Sequence, residues 1–75
     1  MCLGYPAKII STDGRQAVVD YMGASTSVSV ELIENAKKGD YVIIHAGIAI
    51  TRMPEDEALA TREAFDEVAR WAGEA

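Results

Sequence analysis

The hydrophobic pattern of this chain changes its period at Pro54, and this change limits the folds that the chain can adopt. Before residue 54, short apolar and β-branched runs alternate with glycine-containing turns, as in a sheet of short strands. After it, apolar residues recur at the spacing of one helix face. We therefore predict a small β-barrel over residues 1–53 and a helix over residues 54–75, within one domain.

The first two strands are predicted on either side of Asp13-Gly14, because an Asp-Gly dipeptide between apolar runs is typical of a hairpin turn. In the third strand, Thr26, Val28 and Val30 share one face opposite three serines, which indicates a sheet with one buried face. The predicted strands cover residues 8–10, 17–22, 25–30 and 41–46.

Gly47 interrupts the last apolar run of the predicted sheet. Residues 41–46 form an apolar, β-branched strand, and residues 48–50 are expected to continue it beyond the glycine. A glycine within a strand marks a bulge or a tight bend, which lets a short sheet curl into a barrel. Closure into a barrel removes the exposed edges of the sheet.

The predicted helix begins with Pro54 and three acidic residues, a composition that suits the first helical turn. Its apolar stripe is expected to pack on the barrel, as amphipathic helices usually do. Leu59 lies off this stripe and Trp71 at its edge, so exposure of either would suggest a docking site. The stripe consists of Ala58, Thr61, Phe65, Val68, Ala69 and Ala72.

The net charge of −5 comes from the helical part of the chain. Residues 1–53 contain five acidic and five basic side chains, whereas residues 54–75 contain seven acidic and two basic ones. This excess would repel phosphate backbones and anionic lipids, and the five aromatic residues are scattered without a basic groove. We therefore expect neither nucleic acid nor a membrane as partner.

The single cysteine, Cys2, stands beside the initiator methionine. The Met-Cys start lacks the charged and apolar regions of a signal peptide, and no apolar run reaches membrane-spanning length, so a cytoplasmic location is expected. A lone thiol forms no internal disulfide, and cysteines are more often kept for reactivity than for packing. If Met1 is removed, the α-amine and the thiol together suit a soft metal, a nucleophilic attack or a mixed disulfide.

His45 is the other candidate for chemistry. A lone histidine in a strand is more often a hydrogen-bonded structural residue, but Cys2 could give it a partner for proton transfer or metal ligation. With one cysteine and one histidine, the chain cannot build a closed four-ligand zinc site. An accidental cysteine near a terminus is the alternative to a functional one.

Three segments and the acidic helix together resemble the HypC/HybG/HupF family of hydrogenase maturation chaperones. The segments are MCLGYPAKII at residues 1–10, AVVDYMG at residues 17–23 and GDYVIIHAGIAI at residues 39–50. An N-terminal Met-Cys with proline at position 6 is specific when it is joined to the later Gly-Asp-aromatic-Val and His-Ala-Gly block. The resemblance covers nearly the whole chain.

The resemblance implies a mainly β fold, a small OB-like β-barrel followed by one C-terminal amphipathic α-helix. It implies a non-enzymatic protein that binds HypD and the precursor of the [NiFe] hydrogenase large subunit. Such a protein carries the Fe(CN)2(CO) group transiently, with no permanently bound cofactor. The iron ligand of the family corresponds to Cys2. After loss of Met1, the α-amine of Cys2 could serve as a further ligand. The strand histidine of the family corresponds to His45, which would support the iron site or act as a ligand. A soft thiolate suits low-spin iron with strong-field ligands.

The residues expected to contact these partners lie in the N-terminal segment, after Gly47 and on the helix. The family usually has an aromatic residue at the position of Ile48 and a smaller aliphatic one at that of Tyr5, which leaves the choice of partner open. The expected contact residues are Met1, Cys2, Leu3, Tyr5, Pro6, Ile48, Leu59 and Trp71.

Three alternatives belong to other classes of protein. A chaperone that only binds proteins would keep its complexes after Cys2→Ala. An enzyme with Cys2 as N-terminal nucleophile is chemically reasonable but lacks oxyanion-hole and substrate-binding signals. A nucleic-acid-binding barrel is suggested by fold alone, and fold does not fix function.

Overall fold

A computed structural model of the chain describes residues 4–73, so Met1, Cys2, Leu3, Glu74 and Ala75 lie outside the described residues. The described part contains five strands and one helix. The strands are β1 (Ala7–Thr12), β2 (Gln16–Tyr21), β3 (Ala24–Ser29), β4 (Tyr41–His45) and β5 (Ile48–Met53), and the helix is α1 (Glu55–Gly73).

The five strands close into a barrel in the order β1-β2-β3-β5-β4. Strand β1 closes it by pairing antiparallel with both β2 and β4, and its register shifts between Ile9 and Ser11. Strands β3 and β5 pair in parallel, with Ser29 of β3 opposite Ile48 of β5. This closed barrel followed by one helix confirms the predicted mainly β fold class.

Gly47 lies in a hairpin turn, so the prediction that residues 48–50 continue the preceding strand is wrong. Ala46 and Gly47 both have positive φ, 55° and 78°, as the two central residues of a type I′ turn require. The chain therefore reverses, and β5 pairs antiparallel with β4, with Ile48 opposite His45. The turn between β2 and β3 also has two residues of positive φ, Met22 and Gly23.

The predicted hairpin at Asp13-Gly14 is confirmed between β1 and β2. Asp13 Oδ1 accepts hydrogen bonds from the backbone amides of Gln16 at 2.8 Å and Arg15 at 2.9 Å. These bonds, the one from Gln16 foremost, hold the pKa of the Asp13 carboxyl below its ordinary value because they favour the charged form. Gly14 supplies the positive φ of 98° in this turn.

The barrel interior is filled by small and β-branched side chains. Burial of a side chain the size of valine or isoleucine contributes about 1.5–3 kcal/mol relative to exposure. Val28 and Val30 point inward as predicted, but Thr26 is exposed, so the predicted buried face extends over only the later part of the third strand. The buried residues are Ala7, Ile9, Ala17, Val19, Val28, Val30, Ile33, Val42 and Ala49.

Helix α1 packs on the outer surface of the barrel through its first turns only. Ala58 is fully buried against Tyr41, Ile43 and Met53, which form a second cluster outside the barrel. The Ala58 amide bonds to the carbonyl of Pro54 at 2.8 Å, as at the start of a helix.

The prediction that the whole apolar stripe packs on the barrel is wrong. Val68, Ala69 and Ala72 are exposed, and Phe65 is 37% exposed with one contact of its ring to Tyr5. The reason is length: strands of six residues extend about 20 Å, whereas a 19-residue helix extends about 28 Å. The helix therefore projects past the barrel, and the long dimension of the molecule is 41 Å against 21 and 19 Å.

Candidate functional site

The N-terminal segment (residues 4–6) is attached to helix α1 by Arg62. Arg62 Nε donates a hydrogen bond to the carbonyl of Pro6 at 3.1 Å. Its Nη2 donates to the carbonyl of Asp20 on β2 at 3.2 Å, and its Nη1 lies 4.0 Å from the Asp20 carboxylate. One helical side chain thus contacts both the segment that precedes β1 and the neighbouring strand β2.

Aromatic rings surround the same guanidinium group. Its central carbon lies 5.2 Å from the centre of the Tyr5 ring and 5.0 Å from that of Tyr41, distances typical of cation–π contacts. The Tyr5 ring meets Tyr21 and Phe65 edge to face, with ring centres 5.7 and 5.6 Å apart. We call Tyr5, Tyr21, Tyr41, Arg62 and Phe65 the Arg62 cluster.

Sequence reasoning missed the Arg62 cluster, although one signal was present. Ala58 and Arg62 are four residues apart, so both lie on the helix face that meets the barrel. Arg62 is also one of only two bases among residues 54–75. The tyrosines gave no such signal, because Tyr5, Tyr21 and Tyr41 are brought together only by the closure of the barrel.

His45 lies at the end of β4 and is exposed. Its backbone pairs with Ile48 in the β4–β5 ladder, but its imidazole makes no hydrogen bond to another residue within the range 4–73. The structural and the functional role considered for its side chain both stay predictions. Ile48, opposite it in the hairpin, is 39% exposed.

The N-terminal segment and His45 lie toward the same end of the barrel. Strands β1 and β4 are antiparallel, with Ala7 opposite Val42. From this pair, three residues lead back along the chain to Gly4 and three lead forward along β4 to His45. The topology thus brings the attachment point of residues 1–3 and the predicted histidine to one end.

The other predicted contact residues are distributed over the surface. The Pro6 side chain is fully buried, so it supports the N-terminal segment and offers no free surface here. Leu59 and Trp71 are 49% and 78% exposed. They are separated by about 18 Å along the helix and about 120° around it, so they do not form one patch. Met1, Cys2 and Leu3 lie outside the described residues, and their roles stay predictions.

Residues 4–73 contain no group of three or more histidine, cysteine, aspartate or glutamate side chains placed to hold a metal ion. A search of the same residues finds no helix with the length and hydropathy needed to cross a membrane.

The fold and the site define a small closed β-barrel whose N-terminal segment is fixed by a C-terminal acidic helix. The family model described as HupF/HypC matches residues 1–65. The chain belongs to the HupF/HypC family, which confirms the resemblance found in its motifs.

Three curated relatives illustrate the similarity. Hydrogenase maturation factor HypC of Cupriavidus necator is 39% identical over 71 residues, covering 93% of this chain and 79% of the relative. HypC of Escherichia coli is 37% identical over 71 residues, covering 87% and 79%. Hydrogenase expression/formation protein HupF of Bradyrhizobium diazoefficiens is 36% identical over 66 residues, covering 88% and 67%. Because these proteins are named as maturation or formation factors, the prediction of a non-enzymatic protein is confirmed.

Proposed function

We propose that this chain is a hydrogenase maturation chaperone that carries the Fe(CN)2(CO) group on Cys2. It would receive the group in a complex with HypD and deliver it to the precursor of the [NiFe] hydrogenase large subunit. The observation that carries the proposal is the family match over residues 1–65, which spans Cys2, the whole barrel and the Arg62 cluster. Family membership by itself supports the broader role in hydrogenase maturation.

The chemistry of Cys2 supports its assignment as the iron ligand. A thiolate is a soft donor and suits low-spin iron that already carries cyanide and carbon monoxide. Removal of Met1 would add the α-amine as a second donor. On delivery, a ligand of the acceptor replaces the sulfur of Cys2, which leaves with its electron pair as a thiolate. The oxidation state of the iron does not change.

His45 supports the iron site from the end of β4 in this proposal. It is exposed and lies toward the same end of the barrel as residues 4–6, the segment that follows Cys2 and Leu3 in the sequence. A neutral ring nitrogen can accept the proton that the thiol loses when it binds iron, or hydrogen-bond to the resulting thiolate. Ile48, beside His45 in the hairpin, would contact the partner that faces this end.

The projecting part of α1 supplies further surface for a protein partner. Val68 and Trp71 are 66% and 78% exposed, so the packing of this domain leaves both large apolar side chains at the surface. Neighbouring exposed apolar side chains are typical of a protein-binding site. The neighbouring Glu63, Asp66 and Glu67 favour a partner with basic side chains around an apolar groove. A chaperone that binds protein partners through this helix and carries no iron is the second candidate.

Infrared spectroscopy of anaerobically purified protein tests the proposal. The chain is produced together with the maturation machinery and compared with Cys2→Ala and His45→Ala variants in the cyanide and carbonyl stretching region. We expect bands in the parent, none in Cys2→Ala, and weaker bands in His45→Ala. Absence of bands from the parent while HypD still co-purifies would contradict iron carriage and favour the second candidate.

A further inference from the structure

We infer that Arg62 is a positioning residue that fixes the N-terminal segment, to which the proposed iron ligand Cys2 is joined through Leu3. The inference rests on the proposed role of Cys2. It goes beyond that role because it assigns a function to a helical side chain far from Cys2 in the sequence.

Arg62 contacts the two residues that directly precede β1. The pairing of β1 with β4 begins at Ala7, so residues 4–6 precede the first ladder pair. Pro6 has no backbone N–H to donate, but its carbonyl accepts the hydrogen bond from Arg62 Nε. The Tyr5 ring is held by the Arg62 guanidinium together with Tyr21 and Phe65.

The chemistry of arginine suits this attachment. A planar guanidinium donates hydrogen bonds in its plane while its faces remain available to aromatic rings. Arg62 does both, bonding to the carbonyls of Pro6 and Asp20 and lying over Tyr5 and Tyr41. Its side chain is only 18% exposed, so solvent screens these contacts weakly. A lysine would keep the charge but not the combination of forked donors and a flat face.

The same contacts couple the helix to the N-terminal segment. Ala58 anchors the first turns of α1 on the barrel, and Arg62, one turn later, reaches Pro6. Beyond Phe65 the helix projects away from the barrel. A partner that binds this projecting part and displaces α1 would therefore release the carbonyl of Pro6 and the ring of Tyr5.

Spin labelling tests the inference without iron. Cys2 is the only cysteine, so a nitroxide label attaches at one place in the full chain. Electron paramagnetic resonance then compares the parent with Arg62→Leu, Arg62→Lys and the control Arg70→Leu, which removes an exposed arginine from the same helix. A label placed by Ser27→Cys in a Cys2→Ala background, with and without Arg62→Leu, reports on the barrel.

We expect Arg62→Leu to remove the immobilised component of the spectrum at Cys2, Arg62→Lys to retain part of it, and Arg70→Leu to match the parent. The spectrum of the label at residue 27 should be the same with and without Arg62→Leu. A folded Arg62→Leu variant with the parent spectrum, or a parent label that already rotates freely, overturns the inference. If Arg62→Leu does not fold, the spectra of the Cys2 label in Arg62→Lys and Tyr5→Leu are compared with that of the parent instead, and an unchanged spectrum in both overturns the inference. Because the label reports on the iron-free chain, failure of iron carriage would leave this result intact.

Discussion

The barrel interior and helix α1 use apolar residues in different ways. Inside the barrel, Ile9, Val19 and Val42 are completely removed from water. Among residues 55–72 of the helix, Ala58 alone reaches that state, while Val68 and Trp71 remain largely exposed. The difference indicates that the barrel supplies most of the stability and that the outer helix is available for contacts with other molecules.

The contrast also agrees with the proposed role of this small chain as a carrier. The barrel supplies Asp20 and Tyr41 as contacts for Arg62 of the helix, and the projecting helix offers a surface that the barrel does not need for folding. If the helix were as important to the core as the strands are, a partner could not displace it without unfolding the protein. Paired substitutions at a buried and a neighbouring exposed position test this division.

The largest effect is expected in the barrel, at Ile9. Ile9→Ala removes a fully buried side chain and should cost about 2–5 kcal/mol, enough to unfold much of a domain whose core supplies only about 3–5 kcal/mol. Ile10→Ala, at the next position and 42% exposed, is the control and should cost much less. Urea denaturation followed by circular dichroism measures both. Equal losses would show that the interior is not the main source of stability.

An intermediate effect is expected where the helix meets the barrel. Ala58→Leu inserts three carbon atoms into the contact with Tyr41, Ile43 and Met53 and should destabilise the protein by about 1–3 kcal/mol. Ala60→Leu makes the same change at an exposed position of the same helix and should stay within about 0.5 kcal/mol. The comparison uses the same denaturation assay, and similar values for the two variants would mean that α1 is not docked through Ala58.

Much of the fold could be predicted because local signals decide it. Asp13-Gly14 has the composition of a hairpin turn, and Pro54 with the following acidic residues marks the helix start. These preferences act within a few residues and need no knowledge of the rest of the chain. The Met-Cys start and the His-Ala-Gly block are likewise local motifs, and they indicate the family without knowledge of the fold.

The errors arose where distant parts of the chain decide the outcome. Gly47 suits both a bulge and a turn, and the pairing of β5 with β4 selects the turn. The fraction of the helix stripe that is buried depends on the length of the barrel. The hydrophobic period of the helix sequence gives no information on that length. The Arg62 cluster requires Tyr5, Tyr21 and Tyr41 from three separate elements, so it exists only after the barrel has closed.

The smallest effect on stability, with a larger one on binding, is expected at Trp71. Its side chain is 78% exposed, so Trp71→Ser should change the free energy of unfolding by no more than about 0.5 kcal/mol. If Trp71 contacts HypD, one of the two proposed partners, its loss should cost about 2 kcal/mol of binding free energy, or about thirtyfold in Kd.

Arg70→Ser, at the adjacent exposed position, is the control for Trp71→Ser, and Leu59→Ser tests the other face of the helix. Calorimetric titration of HypD into each folded variant measures Kd. Weaker binding of Trp71→Ser alone would place the interface on the projecting end of α1, whereas weaker binding of Leu59→Ser alone would place it near the helix start. Unchanged affinity in both variants would contradict a contact through the helix and leave the N-terminal segment and the hairpin at His45 as the binding surface.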